Sequence, residues 1–123
     1  MPRPIEVPLP RERSCAAIAR RLVERHFSYE LDAHAIENLK LVATELVDNA
    51  YLHGEGEIQL RLQKLGPCVR VEVIDEGQDA EIRVRPNPTG VGGHGLQLVQ
   101  RLASAWGARE GTAHVWAELW VAR

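Results

Sequence analysis

Between Glu57 and Ile74 the apolar residues fall on alternate positions, and this period limits the possible folds more than any other feature. Ile58, Leu60 and Leu62 alternate with Gln59, Arg61 and Gln63, and Val69, Val71 and Val73 alternate with Arg70 and Glu72. Successive side chains of a strand point to opposite faces, so each run has one apolar and one polar face. Gly66-Pro67 separates the runs, which predicts a hairpin of two antiparallel strands. Such a sheet needs covering on its apolar face only.

The covering elements flank the hairpin. A helix is expected from about Arg11 to His26, where Cys15, Ile18, Leu22 and Val23 form a stripe. A second is expected from Asp32, as N-cap, through Ile36, Leu39, Ala43, Leu46 and Ala50, with Gly54 stopping it in the left-handed conformation. A third carries Leu96, Val99, Leu102 and Ala103 on one side and is expected to end at Trp106-Gly107. Ile5-Glu6-Val7 reads as a short strand that Pro8 and Pro10 confine to an edge or an end. At the other end Val115, Ala117, Leu119 and Val121 alternate with His114, Trp116, Glu118 and Trp120, a last strand. Residues 75–95 have no sustained period. The order of elements predicts an α+β fold: a two-layer α/β sandwich, its sheet mixed but mostly antiparallel, with three helices on one face.

A length of 123 residues suits a single domain spanning 1–123, and 45% hydrophobic with 26% charged residues is ordinary globular composition. The net charge of -2 argues against a general nucleic-acid binder. Arg3, Arg11, Arg13, Arg20, Arg21 and Arg25 crowd the start and read as a solvated face. No apolar run reaches the roughly 20 residues of a membrane span. Cys15 and Cys68 lack metal-ligand spacing and, with no leader segment ahead of them, read as reduced thiols in a cytoplasmic protein.

Three polar signals stand out. Glu45 and Asn49 are four apart in the second helix and so share a face. A carboxylate and a carboxamide there supply a proton acceptor and a cation-binding oxygen, or else belong to a solvated stripe. Val73-Ile74-Asp75-Glu76-Gly77 ends a strand in a carboxylate beside backbone that a ligand can approach closely. That carboxylate accepts a hydrogen bond from an exocyclic amine, favouring adenine over guanine, although strand-Asp-Gly is also an everyday turn. Gly90-Val91-Gly92-Gly93-His94-Gly95-Leu96 runs into the third helix, where inward backbone N–H groups and a helix N-terminus suit phosphate. It lacks the βαβ setting of a dinucleotide fold and the Gly-Lys-Ser/Thr ending of a P-loop; a flexible hinge is the alternative.

In this order, the signals resemble the GHKL ATPase superfamily, which includes DNA gyrase B, heat-shock 90 chaperones, histidine kinases and MutL mismatch-repair proteins. The matching pieces are Thr44-Glu45-Leu46-Val47-Asp48-Asn49-Ala50-Tyr51-Leu52-His53-Gly54, Val73-Ile74-Asp75-Glu76-Gly77 and Gly92-Gly93-His94-Gly95-Leu96-Gln97-Leu98-Val99. With Trp106-Gly107 and Val115-Trp116-Ala117-Glu118-Leu119, the chain looks most like the anti-sigma-factor serine kinases, in particular the small ATP-binding regulators of actinobacteria. The fold this implies is of the Bergerat ATP-binding type. ATP and Mg²⁺ are the implied cofactors, with Asn49 coordinating Mg²⁺ and Glu45 as general base. Asp75 would accept the adenine amino hydrogen, and Gly77 would let the base sit close. Gly92, Gly93, His94 and Gly95 would wrap the phosphates, with Leu96 at the helix start. Thr112 would add a bond near adenine, and His53 would border the nucleotide or simply end its helix. Where the family carries a second glycine after the strand, this chain has Asp79.

The resemblance implies a serine/threonine protein kinase that regulates transcription. Its partners would be a sigma factor, an anti-anti-sigma protein of the STAS type, or both, and a homodimer is a further expectation. Direct contact with nucleic acid or membrane is not expected. A second reading is a non-catalytic ATP-binding module that acts by sequestering its partner. A sensor-kinase fragment is disfavoured, because His26 is followed by Phe27-Ser28 rather than an acidic residue.

Overall fold

A computed structural model describes residues 3–77, 94–109 and 112–121. In chain order the elements are β1 (Ile5–Leu9), α1 (Cys15–Phe27), α2 (Ala33–His53), β2 (Ile58–Leu65), β3 (Cys68–Ile74), α3 (His94–Leu102), β4 (Ala105–Ala108) and β5 (His114–Trp120). The five strands form one sheet in the order β1-β2-β3-β5-β4. Every pairing among the described strands is antiparallel, in an α+β sandwich of the expected kind with a mostly antiparallel sheet.

Alternation in the hairpin does what the sequence requires of it. Ile58, Leu60 and Leu62 of β2, Val69, Val71 and Val73 of β3, and Val115, Ala117 and Leu119 of β5 are all buried. The register places Leu60 opposite Val73, and Val73 opposite Val115, so these side chains form one continuous apolar face. Helix α2 lies on that face and packs against β2, β3 and β5, while α1 and α3 pack against α2. Its buried positions Ile36, Leu39, Val42, Ala43, Leu46, Val47 and Ala50 face both the sheet and α1. Asp32 caps α2 as expected, its Oδ1 accepting from the Ala35 N–H at 2.8 Å.

Helix α1 buries Cys15, Ala16, Ala19, Val23 and Phe27, a stripe displaced from the expected one, with Ile18 and Leu22 only partly covered. Burial pushes the Cys15 thiol pKa up, so the group is an inert part of the core. The proline-bounded β1 lies at the sheet edge, as expected.

The end of the third helix differs from expectation. Helix α3 stops at Leu102, and Trp106-Gly107 belongs to β4, which among the described residues is an edge strand paired with β5. Trp106 lies opposite Ala117, and this contact draws the indole toward the core as part of a strand.

The other sheet face carries no helix among the described residues. Its centre is Glu72, buried beneath Arg61, Arg70 and His114. The Arg70 guanidinium lies 4.5 Å from the centre of the Trp116 ring, while Trp120 is 64% exposed. No described helix is long and apolar enough to cross a membrane.

Candidate functional site

The candidate site is built where the C-terminal end of α2 meets the end of β3. Beyond Ile74 the Asp75 N–H donates to the Ala113 carbonyl at 3.1 Å, so the chain is still tied to the start of β5. The Asp75 side chain then turns back on the backbone. Its Oδ1 accepts from the Gly77 N–H at 2.7 Å and the Glu55 N–H at 3.3 Å. Two backbone donors fix the plane of the carboxylate, which is buried to 7% exposure.

Two glycines make room for this carboxylate. A Cβ on Gly77 would lie 2.8 Å from Asp75 Oδ1, and one on Gly54 would lie 2.5 Å from Asp75 Cγ and 2.6 Å from the Ala50 carbonyl. Gly54 therefore has a different role from the one expected. Its φ is -90°, outside the left-handed region, so α2 does not end on a left-handed cap. The requirement for glycine comes instead from the side chain across the gap.

On α2, Glu45 and Asn49 sit one above the other, as their spacing requires. Asn49 is 8% exposed, and its Nδ2 has no hydrogen-bond partner among the described residues. A buried amide without a partner costs about 1–3 kcal/mol, so this atom marks a place where a ligand is expected. Partial burial, reinforced by the negative charge of Asp48, raises the Glu45 pKa above the usual carboxylate value. A raised pKa makes a carboxylate a better proton acceptor, as a general base requires. Burial also raises the Asp48 pKa, an effect that Arg20 opposes.

Arginines read as a solvated face enter this region. Arg20 Nη1 donates to Thr44 Oγ1 at 3.0 Å, and the Thr44 hydroxyl donates to the Lys40 carbonyl at 2.8 Å. Arg11 Nη1 donates to the Ala50 and Tyr51 carbonyls at 3.1 and 2.9 Å, and its Nε to the Gly56 carbonyl at 2.6 Å. Arg20 was within reach of sequence reasoning, because it shares a helical stripe with the buried Ala16, Val23 and Phe27. Arg11 left no such signal.

The remaining expected residues are placed unevenly. His53 is exposed on the last turn of α2, and Thr112 lies beside Ala113, its hydroxyl donating to the Arg109 carbonyl at 2.9 Å. His94 and Gly95 open α3, and Leu96 packs against the core from its first turn. Gly92 and Gly93 lie outside the described residues, as do Gly90, Asp79 and most of the glycine-rich connection.

ATP and Mg²⁺ fit the residues present. Among the described residues no cluster of three His, Cys, Asp or Glu side chains is able to hold a metal ion. The Asn49 carboxamide oxygen, to which the resemblance assigns the cation, would hold it together with phosphate oxygens. That donor set suits Mg²⁺, which is commonly bound through one or two protein groups plus substrate phosphates. Bound there, it would neutralise phosphate charge. The orphaned Asn49 Nδ2 is then a donor for an anion, and the fixed Asp75 carboxylate an acceptor for an amine.

No curated protein matches the chain. Residues 9–118 do match the family described as the histidine kinase-like ATPase domain, an interval that runs from β1 to β5 and includes Glu45, Asn49, Gly54, Asp75 and Gly77. With a helix-covered antiparallel sheet, a glycine-cradled aspartate at the end of a central strand and a buried asparagine on the facing helix, the chain belongs to the histidine kinase-like ATPase domain family.

Proposed function

We propose that this ATP-binding, kinase-like domain is a serine/threonine protein kinase of the anti-sigma-factor type. It binds a sigma factor, phosphorylates a serine on an anti-anti-sigma protein of the STAS type, or does both. The observation that carries this reading is the pairing on α2 of a carboxylate with raised pKa, Glu45, and a buried amide lacking a partner, Asn49, one turn later. Phosphoryl transfer needs a positioned nucleophile and neutralised phosphate charge, with little covalent work from the protein. Glu45 takes the proton of the serine hydroxyl as its oxygen bonds to the γ-phosphorus and the bond to the β–γ bridging oxygen breaks, ADP being the leaving group; Asn49 would hold the cation through its carboxamide oxygen. The Asp75 carboxylate receives the adenine amine, and Gly77, which leaves that carboxylate room, lets the base sit close.

The test has two stages. Calorimetry with a non-hydrolysable ATP analogue, with and without Mg²⁺, measures binding; transfer of labelled phosphate to a co-purifying STAS-type protein measures catalysis. Magnesium-dependent binding followed by transfer to serine supports the kinase. Binding without transfer supports a module that acts by sequestering its partner, a reading also favoured by Asp79 at the family's second glycine position. No binding of the analogue overturns both.

A further inference from the structure

We propose that Arg11 is a positioning residue for adenine recognition, acting on Asp75 through the Gly54–Glu57 connection; this rests on the ATP-site reading above. Helix α2 ends at His53, and the last carbonyls of any helix lack partners within it. One guanidinium reaches two carbonyls of the last turn, that of Tyr51 and that of Ala50, which also accepts from the Gly54 N–H at 2.9 Å, and the same planar group takes the Gly56 carbonyl in the following connection. A cation at a helix C-terminus is also favoured by the helix dipole. Because the guanidinium is a rigid fork, its bonds fix the helix end and the connection relative to one another.

That connection in turn holds the Asp75 segment through three further bonds. The Glu55 N–H donates to Asp75 Oδ1 at 3.3 Å, the Glu76 N–H donates to the Glu55 carbonyl at 2.9 Å, and the Glu57 N–H donates to the Glu76 carboxylate. Gly56, with φ +64°, sits so close to Glu76 that a Cβ there would meet its side chain. Displacing the connection therefore moves a donor to Asp75 and the segment beside it. Ala50, whose carbonyl Arg11 grips, directly follows Asn49, so one side chain braces both ends of the candidate site.

The experiment measures ATP and GTP affinities of wild type, Arg11→Lys and Arg11→Ala, with Glu72→Ala as a destabilised control from the helix-free face. A residue that only supports the fold lowers the binding-competent fraction for both nucleotides alike and leaves their ratio unchanged. Loss of Asp75 orientation lowers the ratio itself. In Arg11→Lys, which keeps the charge and loses the fork, ATP affinity is expected to fall about 5- to 20-fold and the ATP preference over GTP with it. Glu72→Ala keeps the wild-type ratio, and methylguanidinium restores the preference to Arg11→Ala. A wild-type preference for ATP that is unchanged in folded Arg11→Lys overturns the role of Arg11. Failure of wild type to bind ATP overturns the site reading on which it rests.

Discussion

Gly54 and Asp75 are fitted to each other so closely that a methyl group on the glycine would lie 2.5 Å from the Asp75 carboxyl carbon. Gly54→Ala must therefore displace either the Asp75 side chain or the end of α2, where the Ala50 carbonyl would be only 2.6 Å away. The expected cost is about 1–3 kcal/mol of stability, in the range for overpacking a tight site, with a disproportionate loss of ATP affinity. Gly66→Ala provides the contrast, because Gly66 has φ +59° and nothing within 4 Å of a Cβ. It should cost stability through backbone strain and leave nucleotide affinity unchanged. Chemical denaturation and calorimetry on the two variants check the difference.

Asp75→Asn tests the carboxylate without removing its cradle. An asparagine oxygen can still accept from the Gly77 and Glu55 N–H groups, so the fold should survive with little change in melting temperature. The group presented to the base then becomes an amide donor, which repels the adenine amine and suits the guanine carbonyl. A charge-assisted hydrogen bond is worth about 1.5–3 kcal/mol, so ATP affinity should fall roughly 10- to 100-fold while GTP affinity holds or improves. Equal losses for the two nucleotides would remove Asp75 from base recognition.

How these residues could or could not be read in the sequence follows from the range of their interactions. Asp75 and Asn49 were legible because each breaks a local pattern, one ending an alternating run and the other interrupting an apolar helix face. Asp32 was legible because capping is decided within one turn. Gly54 was identified for the wrong reason: a cap rule sees the helix end, whereas the constraint comes from Asp75, 21 positions on. Arg11 was hidden because it reaches backbone carbonyls 39 to 45 residues away, and a carbonyl has the same chemistry whatever its side chain. Strand β4 was hidden because Ala105-Trp106-Gly107-Ala108 is too short to show a period.

On the helix-free face, Glu72 should matter for stability and not for nucleotide. Its side chain is 8% exposed and touches Arg61, Arg70 and His114, so removing it takes a shared carboxylate from two guanidinium groups, which keep Glu6 and Glu118 as their other partners. Leaving a buried charge wholly uncompensated costs about 3–5 kcal/mol; with both guanidinium groups part-exposed and still paired, the loss should lie below that and above the cost of a surface pair. Glu118 also binds Arg70, at 3.0 Å, but is 27% exposed, and Glu118→Ala should cost about 1 kcal/mol or less. Urea unfolding of the two variants measures the gap, and similar costs would show that the Glu72 cluster is no tighter than a surface pair.

Glu45 links stability to pH in a direction that distinguishes a poised base from a structural carboxylate. Burial and the Asp48 charge raise its folded-state pKa above the ordinary 4.5, so the folded protein holds this proton more tightly than the unfolded chain. Stability from this group is complete below the unfolded value and is lost as pH rises through the folded value. At neutral pH the ionised Glu45 is therefore a net burden on the fold. Glu45→Gln should raise the melting temperature at pH 7 by about 1–3 °C, and the gain should vanish as the pH falls below 4.5. The same substitution should leave Mg-ATP affinity near wild type and abolish transfer to serine, because the amide cannot accept the proton. A variant less stable than wild type at pH 7 would mean that Glu45 makes a favourable structural interaction. A variant that still transfers phosphate would remove it as the base.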